Sequence, residues 1–215
     1  MDVLVIGANG TTGRLTVDKL AKKNKYYARG MVRTESQFGE IEKLGGLPVL
    51  GNLEGDFEKA YEEVDAVIFA AGSGGHTGPE KTKSVDEEGA IKAIDLAVKK
   101  GVKKFVMLSA IGAGDLSSMD ISDDMEDYYK AKHAADQHLE NSGLNYSIIR
   151  PGLLTDEKGT DKIRAAEVLD DRQGEITRSD VAEVLVLALD HENLNNKAVE
   201  ILNDEEDMIT ALNRA

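Results

Sequence analysis

Along the chain, short runs of β-branched and aliphatic residues alternate with longer stretches whose apolar positions recur every three or four residues. The first run, Val3 to Ile6, is apolar throughout and stops at Gly7, the pattern of a strand buried on both faces. A helical pattern follows from Thr12 to about Lys23, with Leu15, Leu20 and Ala21 on its apolar side. "YYARGMV" and "PVLGN" predict the second and third strands, with a short helix at about Ser36 to Leu44 between them. "DAVIFAAG" predicts a fourth strand, "EGAIKAIDLAVKKG" a helix closed by Gly101 as its C′ glycine, and "KFVMLSA" a fifth strand. "YYKAKHAADQHLENSG" is the next helix and "NYSIIRPG" the sixth strand. "SDVAEVLVLALD" opens with Ser179 as the expected N-cap, and "KAVEIL" is a late seventh strand.

Strands alternating with helices over nearly the whole chain predict an α/β fold, a doubly wound parallel sheet of Rossmann type. The expected strand order is 3-2-1-4-5-6-7, in a single domain spanning residues 1–215. Two segments break the rhythm and read as irregular connections: the acidic "GAGDLSSMDISDDMED" of 112–127 and the polar stretch 153–178. The latter, with 205–215, is expected to be a substrate-side or peripheral part of the same domain. Such folds place ligands at long connections after the C-terminal ends of their strands.

Composition narrows the partners. There are 40 acidic against 26 basic residues, a formal charge of −14, which argues against a nucleic-acid or anionic membrane surface. No cysteine is present, so thiolate catalysis, disulfides and Cys-ligated metals are excluded. "MDVLVIGANG" lacks the pattern of a secretory signal, and no apolar run reaches the roughly 18 residues of a membrane span. A cytoplasmic location is the expectation.

The first strand runs directly into "GANGTTG", with glycines at 7, 10 and 13. Between a buried strand and a helix, this spacing suits a dinucleotide. Gly7 permits the tight turn, Gly10 lets the backbone approach a pyrophosphate, and Gly13 lets helix and strand pack closely. The helix N-terminus offers free N–H groups and a positive dipole end to the phosphates. A glycine-rich turn without a ligand is the plainer alternative. After the second strand comes "MVRTES": Arg33, Thr34 and Ser36, with no acid before Glu35. A guanidinium and hydroxyls suit a 2′-phosphate where NAD-specific folds place a carboxylate, which favours NADP over NAD.

These motifs resemble, in order, those of the short-chain dehydrogenase/reductase superfamily: "GANGTTG", "FAAG" ending strand four, Ser109 ending strand five, Tyr128 and Lys132 on the next helix, and "RPG" after strand six. The glycine spacing is that of the extended, epimerase-like members. The chain's size is closer to the compact atypical branch of NAD(P)-binding, epimerase/dehydratase-like proteins. The resemblance implies that Asn9, Thr11 and Thr12 join Gly7, Gly10 and Gly13 around the cofactor. It places Asn52 and Leu53 beside the adenine, Ala70, Ala71, Gly72 and Ser73 along the ribose side, and Pro151, Gly152, Leu153 and Leu154 beside the nicotinamide. Ser109, Tyr128 and Lys132 would be the catalytic trio, with Lys132 also on the nicotinamide ribose. The family's fourth residue, an Asn, is replaced by Asp86 in "VDEEGA".

The chemistry of that set is concrete. Hydride transfer at a carbinol or carbonyl needs a proton moved at the oxygen. A phenol has an unperturbed pKa of about 10, so it needs help to act as a base near neutrality. A lysine at i+4 lies on the same helix face and can supply a positive charge. Ser109 could hydrogen-bond the substrate oxygen. Tyr128 as a packing residue is the plainer alternative, and Asp86 reads equally as a site contact or as a helix N-terminal acid. Arg150 reads as structural, and His76 as a solvated loop residue or a substrate contact. His133 and His138, five apart, do not share a helix face, and no metal site is expected. Three functions follow: an NADP(H)-dependent oxidoreductase of a small carbonyl or alcohol, with an epimerase or dehydratase variant through a keto intermediate; a non-catalytic NADP(H) redox sensor; or a reductase of flavins or tetrapyrroles with an open cofactor cleft, which would not need the tyrosine.

Overall fold

The computed structural model describes residues 1–73, 78–116 and 123–215, and for positions 79, 123 and 124 the backbone alone. Along the chain these residues form β1 (Asp2–Ile6), α1 (Thr11–Ala21), β2 (Tyr27–Val32), α2 (Phe38–Lys43), β3 (Leu47–Leu50) and β4 (Ala66–Phe69). After them come a single turn α3 (Pro79–Lys81), a π-helical stretch Thr82–Glu87, α4 (Glu88–Lys100), β5 (Lys104–Leu108), α5 (Asp123–Glu140) and β6 (Tyr146–Pro151). The chain continues through β7 (Leu153–Thr155), β8 (Lys162–Ala166), β9 (Glu175–Thr177), α6 (Arg178–Leu187), β10 (Lys197–Asp207) and α7 (Met208–Leu212).

The main sheet has the order β3-β2-β1-β4-β5-β6-β10-β8. Every neighbour pair is parallel except β10 with β8, so the expected order 3-2-1-4-5-6-7 is present with β10 as the seventh strand. Period-2 alternation sends successive residues of each strand to opposite faces. Val3 and Val5 of β1 pack with Val17 and Leu20 of α1 and with Val181, Val184 and Leu185 of α6. Leu4 and Ile6 pack on the other face with Ile94 and Ala97 of α4 and Leu139 of α5. Both faces are covered, which is why these strands read as continuous apolar runs. Among the described residues, no helix is long and apolar enough to cross a membrane.

Three expectations need correction. The stretch 153–178 is not irregular: β7 pairs with β9 as a small parallel ribbon, and β8 adds an antiparallel edge to the main sheet. These strands are stabilised by partners distant in sequence, and β8 pairs with a β10 that runs well beyond "KAVEIL" to Asp207. Ser179 is not the cap of α6. Thr177 is, its Oγ1 accepting from the Asp180 N–H at 3.0 Å while donating to Asp180 Oδ2. A hydroxyl caps by reaching the amide two or three residues on, and Thr177 has the extended backbone this requires. Asp86, finally, is not in the first turn of a helix; it lies inside the π-helical stretch, preceded by α3.

Candidate active site

The glycine loop joins β1 to α1. Gly7 has φ +86°, and a Cβ there would sit 2.6 Å from the Ala71 backbone, so only glycine lets this turn lie beside the end of β4. At Gly13 a Cβ would come within 2.2 Å of the Gly7 carbonyl oxygen, so helix and turn are in direct backbone contact. Gly10 is the N-cap of α1; it has no side chain to cap the helix, and the first turn contains no acid. The leading amides of α1 are therefore left for an external anion. This cradle fits a pyrophosphate.

The other expected cofactor residues surround the same end of the sheet. Arg33 follows β2 as an exposed side chain, its backbone N–H and that of Thr34 both donating to Gln37 Oε1. The Thr34 and Ser36 hydroxyls lie 2.8 Å apart beside it. Asn52 follows β3, its Oδ1 accepting from the Glu54 N–H, and Leu53 packs against the core beneath α4. Ala70 and Ala71 border Gly7, and the Ser73 N–H donates to Asp86 Oδ2 at 2.9 Å. Pro151 and Gly152 are fixed by backbone bonds to Ile111 and Ile201, while Leu153 projects with 67% of its surface exposed. Asn9 is held by Arg14, its carbonyl and Oδ1 both accepting from the guanidinium, at 3.1 and 2.7 Å.

Tyr128 and Lys132 are one turn apart on α5. The Lys132 Nζ lies 5.6 Å from the centre of the Tyr128 ring and 2.9 Å from Asp86 Oδ1, an ion pair whose angle falls short of a good hydrogen bond. The same ammonium approaches the Leu108 carbonyl at 3.4 Å, next to Ser109. The three expected catalytic residues and Asp86 therefore meet at the ends of β4 and β5. Gly72 makes room for Asp86: a Cβ there would lie 3.3 Å from Asp86 Oδ1. The π-helical register turns Asp86 inward, as such irregular turns often do at functional sites.

Ser109 is committed elsewhere. Its Oγ donates to Asp136 Oδ2 at 2.9 Å, and Arg150 holds the same oxygen through Nε at 3.0 Å and a terminal nitrogen at 2.9 Å. With its proton in use, Ser109 offers further partners only lone pairs. Arg150 is tied into this buried group through Asp136.

Burial is the largest influence on Tyr128, Lys132 and Asp136, and neighbouring charges act against it or with it. Burial pushes the Tyr128 phenol above its ordinary pKa; Lys132 opposes this, while Asp86 and Asp136 reinforce it. Burial lowers the Lys132 ammonium, but Tyr128, Asp86 and Asp136 outweigh that effect and leave it raised. The Asp136 carboxyl is raised by burial in spite of Arg150, Ser109 and Lys132.

Several contributors are not evident from sequence. Arg14, pinned by Asn9 and Glu40, joins Arg178 and Lys158 around a cleft of about 630 Å³ between the glycine loop and residues 155–159. Its position directly after Gly13 is a usable signal. Asp136 lies four residues after Lys132 on the same face, a spacing that could also have been read. His133 packs against Gly114, whereas His138 pairs with Asp95 at 2.8 Å, so the two do face different neighbours. His76 lies outside the described residues.

Residues 7–192 match the family described as NAD(P)H-binding. The chain belongs to the NAD(P)H-binding family. A nicotinamide dinucleotide is therefore its cofactor, and the uncapped α1 with its glycine cradle is built to hold one. Within the family, the chain is 42% identical to the uncharacterized sugar epimerase YhfK of Bacillus subtilis over 217 residues, covering all of both chains. It is 30% identical to the sanguinarine reductase of Eschscholzia californica, over 94% of this chain and 88% of that one. Among solved structures, a Bacillus halodurans protein named as an NAD-dependent epimerase/dehydratase superposes with a TM-score of 0.95 at 39% identity, with complete coverage of both. The resemblance drawn from the motifs holds at the level of family and fold.

Proposed function

We propose that this NAD(P)H-binding protein is an NADP(H)-dependent oxidoreductase acting on a small carbonyl compound or the corresponding alcohol. The observation that carries this reading is Tyr128, a phenol stacked over the Lys132 ammonium at the same sheet end as the glycine loop. The cofactor supplies or takes the hydride. Tyr128 gives or takes the proton at the substrate oxygen, and Lys132 orients the phenol and reaches toward the nicotinamide ribose. Arg33, with the Thr34 and Ser36 hydroxyls, supports the 2′-phosphate of NADP rather than the bare ribose of NAD. The sanguinarine reductase relative supports reduction, and the epimerase-named relatives support the keto-intermediate variant on the same parts.

The test is NADPH oxidation, followed by absorbance, against a panel of small aldehydes, ketones and keto-sugars. Stoichiometric oxidation with one compound class supports the oxidoreductase. Tight NADPH binding with no turnover across the panel favours the second reading, a non-catalytic redox sensor. That reading draws support from the Ser109 proton being spent on Asp136.

A further inference from the structure

We infer that Asp86 is a positioning residue that fixes Lys132 and cancels its charge, so that Tyr128 serves as a proton donor and the site is built to reduce a carbonyl-type substrate. The inference rests on the catalytic role proposed for Tyr128 and adds its direction. In the reaction, the carbonyl carbon takes hydride from the reduced nicotinamide, which is thereby oxidised. The carbonyl oxygen takes the Tyr128 proton, giving an alcohol, and solvent reprotonates the tyrosinate.

The geometry carries this. A lysine alone beside a tyrosine would stabilise the phenolate and favour a base. Here the Lys132 ammonium is matched at 2.9 Å by Asp86, and the two side chains are only 5% and 0% exposed, so water barely screens the pair. Asp86 is itself fixed: the Ser73 N–H donates to its other oxygen, and Gly72 leaves the space it occupies. Among the described residues, the charged groups around Tyr128 are Lys132 and Asp136 from its own helix, Asp86 from the π-helical stretch, and Arg150 of β6 acting through Asp136. Among the described residues, two cations face two carboxylates, a balance without net positive charge to hold a tyrosinate. Tyr129, edge-on at 5.4 Å, adds none. Burial is the main reason the phenol is raised; Lys132 works against it, and Asp86 and Asp136 add to it.

The experiment is a pH titration of the cofactor-free protein carrying ¹³C at tyrosine Cζ, with Tyr128→Phe identifying the Tyr128 signal among the 6 tyrosines. Asp86→Asn removes one negative charge and releases the ammonium, and the tyrosinate fraction of Tyr128 at a fixed alkaline pH should rise about tenfold. The alkaline limb of the reductive pH–rate profile should move to lower pH with it. The double variant Asp86→Asn with Lys132→Met deletes both charges, and its Tyr128 titration should stay within about threefold of the parent. An Asp86→Asn titration that does not move, or moves upward, overturns the inference. So does a double variant that departs from the parent by about tenfold or more, a result that counts even where Asp86→Asn alone does not fold. Failure of the catalytic reading would appear separately, as unchanged turnover in Tyr128→Phe.

Discussion

Lys132 Nζ and Asp86 Oδ1 face each other at 2.9 Å with their side chains almost wholly out of water, between α5 and the π-helical stretch that precedes α4. Each charge has given up its hydration and depends on the other. Removing one partner strands the second, which costs about 3–5 kcal/mol for a buried pair. Asp86→Ala and Lys132→Met should each lose about 3 kcal/mol in urea unfolding. The double variant should lose about 2 kcal/mol less than their sum. Additive losses would mean that the two residues do not act as a pair.

The glycine loop predicts a contrast between two substitutions. Gly13→Ala puts a methyl 2.2 Å from the Gly7 oxygen, so α1 must shift away from the turn. Stability should fall by about 1–3 kcal/mol, and NADPH affinity by about a hundredfold, because the phosphate cradle moves with the helix. Gly101→Ala also meets strain, at φ +70°, but nothing lies within 4 Å of the new methyl. It should cost about 1 kcal/mol and leave NADPH affinity unchanged by calorimetric titration.

Arg33 stands exposed after β2, with the Thr34 and Ser36 hydroxyls close by. Arg33→Asp exchanges a guanidinium fork for a carboxylate, which repels a 2′-phosphate and can accept from a ribose hydroxyl. The ratio of NADPH to NADH affinity should fall by about tenfold or more. A ratio unaltered by the substitution would remove Arg33 from cofactor selection.

Lys104 gives a pH prediction at the far end of the sheet. It is 3% exposed, and burial pulls its ammonium from 10.5 to about 8, although Asn145 Oδ1, the Tyr146 carbonyl and Asn195 Oδ1 accept from it. Because the folded value is depressed, the unfolded chain holds more protons between about pH 8 and pH 10.5, and stability contributed by this group rises with pH over that window. Below the window the contribution is flat. Relative to Lys104→Met, the parent should gain about 2 kcal/mol in urea unfolding from about pH 8 to about pH 10. An equal slope in both proteins would mean that Lys104 titrates alike folded and unfolded.

The seven parallel strands were legible because burial on both faces writes itself as unbroken runs such as "VLVI" and "AVIF". The glycine loop was legible because backbone contact at Gly7 and Gly13 admits no other residue. What sequence could not give were relations between distant segments. The edge strand β8 depends on the far half of β10, and the Asp86–Lys132 pair depends on a π-helical register without a residue signature. The hydrogen bond from Ser109 Oγ to Asp136 Oδ2 was likewise hidden, because it depends on α5 bringing a carboxylate across the end of β5. Thr177 displaced Ser179 as a cap through backbone conformation, which hydroxyl content alone does not reveal.

The most direct measurement is the reductive turnover of Tyr128→Phe with NADPH and a carbonyl substrate found in the panel. The substitution keeps the ring over Lys132 and removes only the proton. The account predicts a fall in kcat of about a hundredfold or more, with NADPH affinity unchanged. Turnover equal to the parent's would contradict it.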